Sequence, residues 1–194
     1  MVTAKFFNEE NNDRTTASNI LVREFNAEGG ELKGEAETDH LTIAWSAGNA
    51  TLRPGQRTLL ILEIEPKPGM HLYAAGEHSY EAIDWEVAQT PGADLKEVSY
   101  PEAEMMHLPA IKETVPVYDE ALRIVRDLRV EGSREFDEVL KGKESLVLEG
   151  EFAYQACDAK KCYRPTSVPL KWTFSLEEHD MVRVPEEIRR AAGD

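Results

Sequence analysis

From residue 41 to residue 176, the sequence consists mainly of short segments in which apolar and polar residues alternate. Residues 41–45 and 83–87 alternate most regularly, and residues 58–65 form a β-branched, apolar run that stops at Pro66. Because alternate residues of a strand face opposite sides, this pattern predicts strands that are buried on one face. The separating Pro and Gly residues favour an all-β antiparallel sandwich of seven to ten strands. Further predicted strands are residues 70–74, 95–100, 115–118, 122–130, 145–154 and 168–176.

The two ends of the chain differ from this central region. Residues 1–40 are polar, and we interpret them as a connector that is partly helical, since scattered apolar side chains give short amphipathic patterns. Residues 41–180 form the predicted sandwich, in which only residues 134–140 have a helical pattern. Residues 181–194 form a predicted helical tail, with Pro185 at its first turn. The apolar residues of the connector are Phe6, Phe7, Ile20, Leu21 and Phe25.

Charge and hydropathy exclude several classes of protein. The net charge is −15, and such an acidic surface repels both nucleic-acid backbones and anionic lipids. No stretch approaches 18 consecutive apolar residues, so we expect no direct membrane insertion. The first residues lack the basic and apolar regions of a signal peptide, and we expect none in this sequence.

The two cysteines, Cys157 and Cys162, are separated by only four residues. A disulfide between them would close a loop of about six residues and add only about 2 kcal/mol by the chain-entropy model. Reversible thiol–disulfide chemistry is therefore the first hypothesis, since it needs an accessible thiolate and a second, resolving thiol. Lys160, Lys161 and Arg164 lie near Cys162 and favour its thiolate, whereas Asp158 disfavours that of Cys157.

Other interpretations of the cysteine pair stay open. The pair could form a structural disulfide in an exported protein, half of a zinc site, or part of a hydrolase. The zinc site lacks a second pair of ligands at zinc-binding spacing, and the hydrolase lacks a Gly-x-Ser-x-Gly motif.

Residues 101–114 lack a strand pattern and contain Met105, Met106, Leu108 and Ile111. Such a loop is either a functional lid or a cover for one end of the sandwich.

The cysteine segment resembles the active-site hairpin of the N-terminal periplasmic domain of DsbD-type thiol:disulfide interchange proteins. Residues 68–73 are similar to that family's Pro-Gly strand entry, and residues 100–118 to the segment that holds its cap loop. The resemblance covers residues 50 to 176. Its most specific part is an aromatic-rich strand followed by Gln155-Ala156-Cys157, a short loop, Cys162-Tyr163-Arg164-Pro165 and Val168-Pro169-Leu170.

The resemblance implies an immunoglobulin-like sandwich that exchanges disulfides with thioredoxin-like or redoxin partners in the periplasm or another exported compartment. Cys162 would form the mixed disulfide and Cys157 would resolve it, with no cofactor and no metal. Since no aromatic residue lies between Tyr100 and Tyr118, apolar residues of the 101–114 segment would have to cover the pair, and His71 stands where tyrosine is common. Residues 5–14 are similar to the tail of an upstream redoxin domain. The alternative function is a non-catalytic binding or spacer module with a structural disulfide. The residues expected to shape access are Tyr73, Met106, Leu108, Ile111 and Tyr163.

Overall fold

The structure is a computed structural model that describes residues 21–26, 32–108 and 112–177. This part of the chain contains fourteen strands and one helix. The strands are β1 (Leu21–Asn26), β2 (Leu32–Glu37), β3 (Leu41–Ala47), β4 (Thr51–Leu52), β5 (Arg57–Pro66), β6 (His71–Tyr73), β7 (Asp84–Val87), β8 (Ala93–Leu95), β9 (Glu104–Leu108), β10 (Glu113–Tyr118), β11 (Leu122–Val130), β12 (Ser145–Tyr154), β13 (Ala156–Cys157) and β14 (Thr166–Leu176), and the helix is α1 (Ser133–Val139).

The described strands form three sheets in an immunoglobulin-like sandwich. The first sheet has the order β1-β2-β3-β5-β11-β8, and the second has the order β4-β14-β12-β7. All their pairings are antiparallel except that of β4 with β14. The third sheet, β13-β6-β10-β9, carries the cysteines. The expected all-β sandwich is thereby confirmed.

Two buried tryptophans connect the first two sheets. The indole N–H of Trp45 on β3 donates to the carbonyl of Lys171 at 2.9 Å, and that of Trp172 on β14 donates to the carbonyl of Ser46 at 3.2 Å. Both side chains are at most 2% exposed, so each buries a large apolar ring and satisfies its polar atom. This reciprocal pair sets the relative position of β3 and β14.

The third sheet separates the main core from a small second cluster. Leu72, Tyr118 and Ala156 belong to the main core, whereas their chain neighbours Tyr73 and Cys157 belong to the second cluster. Alternation along each strand causes this division. The second cluster also contains Val115 and Val117, and Tyr80, Met106 and Leu108 pack against it.

The structure corrects four sequence-based expectations. Leu21 and Phe25, assigned to a helix, lie in strand β1, which pairs with β2. The boundary predicted at residue 40, between the connector and the sandwich, falls between β2 and β3. These two strands pair with each other, so the first sheet begins before residue 40. The described strands exceed ten, because β1, β2 and β9 were not predicted and the two-residue strands β4 and β13 leave too short a pattern to detect.

The segment 101–114 is the fourth correction, since it contains strand β9 and the start of β10 in place of the predicted loop. β9 pairs antiparallel with β10, from Glu104 opposite Val117 to Leu108 opposite Glu113. β9 lies at the edge of its sheet, and it is only partly buried, so its sequence shows little alternation.

Helix α1 confirms the helix predicted at residues 134–140, with a shift of one residue. Residues 1–20, which include the proposed redoxin tail, and residues 181–194, with the predicted C-terminal helix, lie outside the described residues. In the part of the chain that the structure describes, no helix is long and apolar enough to cross a membrane.

Candidate functional site

Cys157 and Cys162 form a disulfide at the edge of the third sheet, with an S–S distance of 2.10 Å and a Cα–Cα distance of 4.0 Å. Cys157 ends β13 and makes an antiparallel bridge with Cys162. The turn between them is closed by backbone hydrogen bonds from Asp158 to Lys161 and from Tyr163 to Ala156, at 2.9 and 2.8 Å. Both cysteines were expected at adjacent strand ends, and the hairpin places them opposite each other.

The carboxylate of Asp158 organises this turn. It accepts hydrogen bonds from the backbone N–H groups of Lys160 and Lys161, at 2.7 and 2.9 Å, and from the hydroxyl of Tyr163 at 2.9 Å. These hydrogen bonds, those from the two backbone N–H groups first, lower the pKa of Asp158. Asp158 therefore acts mainly as a local turn cap, a role that its place beside Cys157 in the sequence did not indicate.

The two sulfurs differ in exposure. Cys157 is 1% exposed and belongs to the second cluster, whereas Cys162 is exposed on the turn. A macromolecular thiolate must approach along the S–S axis, so it can reach the exposed residue far more easily than the buried one. The structure thus separates an accessible sulfur from a protected one.

The hydroxyl oxygen of Tyr73 lies 3.2 Å from Sγ of Cys157 and 3.4 Å from Sγ of Cys162. Because both sulfurs are in a disulfide and carry no proton, the tyrosine hydroxyl must be the donor. Burial, followed by the influence of Tyr80 and Glu113, raises the pKa of Tyr73 to about 12. Tyr73 is consequently a neutral hydrogen-bond donor at physiological pH.

Three further rings surround Tyr73. Tyr80 stacks on it with centroids 4.2 Å apart and an interplanar angle of 5°, and His71 and His78 each lie 5.5 Å from it. Sequence reasoning gave no role to Tyr80 or His78. The only sequence signal for these two residues was that His78 and Tyr80 are two positions apart. Nothing in the sequence shows that their rings contact Tyr73 on β6.

Tyr163 anchors the cysteine turn to the rest of the domain. Its ring lies 4.4 Å from that of His40, which precedes β3, and Nζ of Lys161 lies 4.5 Å from its centroid. The side chain of Gln155 donates to the carbonyl of Tyr163 at 3.0 Å. These contacts indicate that Tyr163 holds the turn in place.

Of the apolar residues expected to cover the pair, Met106 and Leu108 pack against the cluster that contains Cys157. Met105, which directly precedes Met106, lies on the opposite face of β9 and is 64% exposed. Ile111 lies outside the described residues. Tyr73, Met106 and Leu108 are therefore brought together with Cys157, and Tyr163 lies on the turn.

Among the residues that the structure describes, no group of three or more His, Cys, Asp or Glu side chains is arranged to hold a metal ion.

Comparisons with known proteins place similar sequences and structures beside this chain. A family model described as "Thiol:disulfide interchange protein DsbD, N-terminal" matches residues 38–171, which is more than half of the chain. A solved structure of the N-terminal periplasmic domain of ScsB from Proteus mirabilis is similar over 71% of this chain, with 15% sequence identity and a TM-score of 0.47. This chain spans 47% of that structure. A search of curated proteins found no match.

Proposed function

Because the chain belongs to the family of DsbD N-terminal domains, we propose that it passes reducing equivalents between thioredoxin-like partners through Cys157 and Cys162. The observation that carries this proposal is the contrast between the exposed Cys162 and the buried Cys157 within one disulfide. Exchange through a mixed disulfide requires one sulfur that a partner can reach and a second sulfur that resolves the intermediate.

The proposed cycle starts from the reduced domain. The Cys162 thiolate attacks the partner's disulfide, so a Cys162–partner S–S bond forms and one partner sulfur leaves as a thiolate. Cys157 then loses its proton and attacks Sγ of Cys162, which forms the domain disulfide and releases the second partner thiolate. The domain is oxidised by two electrons, and the partner becomes a dithiol after protonation. The reverse sequence reduces the domain.

Tyr73 supports this cycle through its hydroxyl. When a partner thiolate attacks Cys162, the sulfur of Cys157 leaves and acquires negative charge. A donor 3.2 Å from that sulfur stabilises the charge, and a hydrogen bond to a charged group is worth about 1.5–3 kcal/mol. The neutral hydroxyl is already in place in the oxidised state, so the site needs no rearrangement to provide it.

The cap is the second feature of the proposal. Met106 and Leu108 pack against the cluster that contains Cys157, and Cys162 is the exposed member of the bridge. This arrangement favours exchange with a protein that inserts its thiolate at Cys162, and it protects Cys157 from small thiols. We place the domain in the periplasm or another exported compartment, in agreement with the family.

Trapping of mixed disulfides tests the proposal. Cys157→Ser removes the resolving sulfur, so it should accumulate a mixed disulfide through Cys162 with a thioredoxin-like protein. Cys162→Ser is the matched control, because it keeps a buried thiol and should trap little. Trapping by Cys162→Ser alone would reverse the two roles.

The alternative, a binding or spacer module with a structural disulfide, predicts a different redox potential. Structural bridges are usually poised below about −300 mV. Equilibration of the oxidised domain with dithiol–disulfide buffers should give a higher value for an exchange domain. A bridge that resists reduction, together with no trapping by either variant, would support the structural alternative.

A further inference from the structure

His71 is a buried histidine that faces the same side of the third sheet as Cys157. In the pairing of β13 with β6, Cys157 is directly opposite His71. Opposed residues of an antiparallel pair point to the same face, with Cβ atoms about 4.5–5.5 Å apart. The edge-to-face contact of His71 with Tyr73 places it on the face that carries the disulfide.

The imidazole of His71 has a nitrogen that nothing in the described structure uses. The residue is 5% exposed, and its Nε2 atom is buried without a hydrogen-bond partner. Buried polar atoms nearly always have partners, so an orphaned ring nitrogen on the face of the sheet that carries Cys157 calls for an explanation. One explanation is that this nitrogen accepts a proton during part of a reaction cycle.

The resolving step requires Cys157 to lose its proton. Cys157 is buried, and burial in apolar surroundings favours the protonated thiol over the thiolate. Tyr73 cannot accept the thiol proton near neutral pH, because it is itself protonated up to a pKa of about 12. Bulk water has little access to the Cys157 side of the pair.

We propose, on the basis of the exchange function above, that His71 accepts the Cys157 proton when the mixed disulfide resolves. The S–H bond of Cys157 breaks, its proton goes to Nε2 of His71, and its sulfur bonds to Sγ of Cys162 as the partner thiolate leaves. In the reverse direction, the His71 imidazolium returns the proton to the departing Cys157 sulfur. His71 is neutral again once it has passed the proton to solvent.

Charges near His71 suit this role. The charged groups that interact electrostatically with His71 are Asp119, which follows β10, and Asp158, which follows β13. Tyr73, on the same strand as His71, is neutral. Burial lowers the pKa of His71 below its ordinary value of 6.5, and the two carboxylates act in the opposite direction. His71 is therefore neutral and ready to accept at physiological pH, and the carboxylates stabilise the imidazolium once it forms.

The experiment isolates the resolving step with the aromatic disulfide dithiobis(nitrobenzoate). The reduced domain releases one coloured thionitrobenzoate when Cys162 attacks, and a second when Cys157 resolves the adduct. The second phase is intramolecular, so its rate does not depend on the reagent concentration. Stopped-flow traces from about pH 5 to about pH 8 span the range in which a histidine changes charge.

In the wild type, we expect the second-phase rate to fall as the pH falls through a pKa below 6.5 and to be level above it. His71→Gln should resolve at least about tenfold more slowly at neutral pH, with a rate that keeps rising with pH, because general-base assistance is lost. The first phase should stay within about twofold, since Cys162 is unaffected. His107→Gln is the matched control. His107 is exposed, lies on the face of β9 opposite Met106, and forms a side-chain hydrogen bond with Thr114 of β10.

Several outcomes would overturn the role of His71. The first is a wild-type second-phase rate with no inflection below pH 6.5, and the second is an unchanged pH profile in His71→Gln. The third is loss of the inflection in His78→Gln alone, because Nδ1 of His78 is also buried without a partner. If the His71 variant fails to fold, a wild-type second phase with no inflection still overturns the role, and loss of the inflection in His78→Gln reassigns it. If the wild type releases no second thionitrobenzoate at any pH, the exchange function itself fails, which is distinguishable from failure of His71 alone.

Discussion

The hydroxyl oxygen of Tyr73 lies 3.2 Å from the sulfur of Cys157, the protected member of the disulfide. The two residues lie on neighbouring strands of the third sheet, and both face away from the main core. A hydrogen-bond donor is thus placed beside the sulfur that must carry negative charge when a partner attacks the exposed cysteine. This contact leads to the first prediction.

Tyr73→Phe should slow reduction of the disulfide by a dithiol about tenfold. The substitution keeps the stacked ring but removes the donor to the leaving sulfur, and a hydrogen bond to a charged group is worth about 1.5–3 kcal/mol. Rapid alkylation and mass spectrometry measure the rate. Tyr118→Phe is the control, because its hydroxyl bonds to the Pro101 carbonyl and its ring belongs to the main core. Equal rates in the two variants would remove Tyr73 from the mechanism.

Met106→Ala should speed alkylation of the reduced cysteines several-fold, whereas Met105→Ala should not. Met106 packs against the cluster that contains Cys157, while Met105 lies on the opposite face of β9 and is 64% exposed. The two variants remove the same side chain from adjacent positions, so any difference reports which face covers the site. Iodoacetamide labelling, resolved by peptide mass, gives both cysteine rates. If Met106→Ala labels Cys157 no faster, β9 serves ordinary packing.

Gly150→Ala should destabilise the domain by at least about 1–3 kcal/mol. A Cβ at Gly150 would overlap the backbone carbonyl oxygen of Glu86, which precedes Val87, the partner of Gly150 on β7. Backbone atoms there cannot move without breaking the pairing. Gly132→Ala is the control, because the nearest atom to its added Cβ is the flexible carboxylate end of Glu135. Urea unfolding measures both variants, and equal stabilities would show that β7 is not held against β12 as described.

The free energy of unfolding should fall as the pH falls from about 7 to about 5. Burial holds the pKa of His71 below its ordinary value, so the unfolded chain binds a proton more readily than the folded domain. The contribution of His71 is therefore fully present above 6.5 and is lost as the pH falls through the lower folded pKa. His71→Phe should flatten this dependence in urea titrations of the oxidised domain. His40, whose pKa burial also lowers, should retain part of the slope. An equally steep slope in His71→Phe would place the titration elsewhere.

The amino-acid sequence alone was sufficient for the fold class and for the cysteine pair. Alternation of period two is a local property, and residues 41–45 show it because one face of strand β3 is buried. Helix α1 was also predicted, because its helical pattern is likewise a local property of the sequence. The cysteines lie five positions apart, so their pairing required almost no knowledge of the rest of the chain.

Tertiary structure decided what surrounds that pair. Tyr73 lies 84 positions before Cys157 in the chain, and only the pairing of β6 with β13 brings it to the sulfurs. Strand β9 exists because β10 pairs with it, although its own sequence shows little alternation. The exposure of Cys162 and the burial of Cys157 depend on which face of the third sheet is covered. Strand register and face coverage arise from contacts between distant segments, so local pattern determines the kind of strand, whereas the neighbours of each side chain are determined only when the sheets assemble.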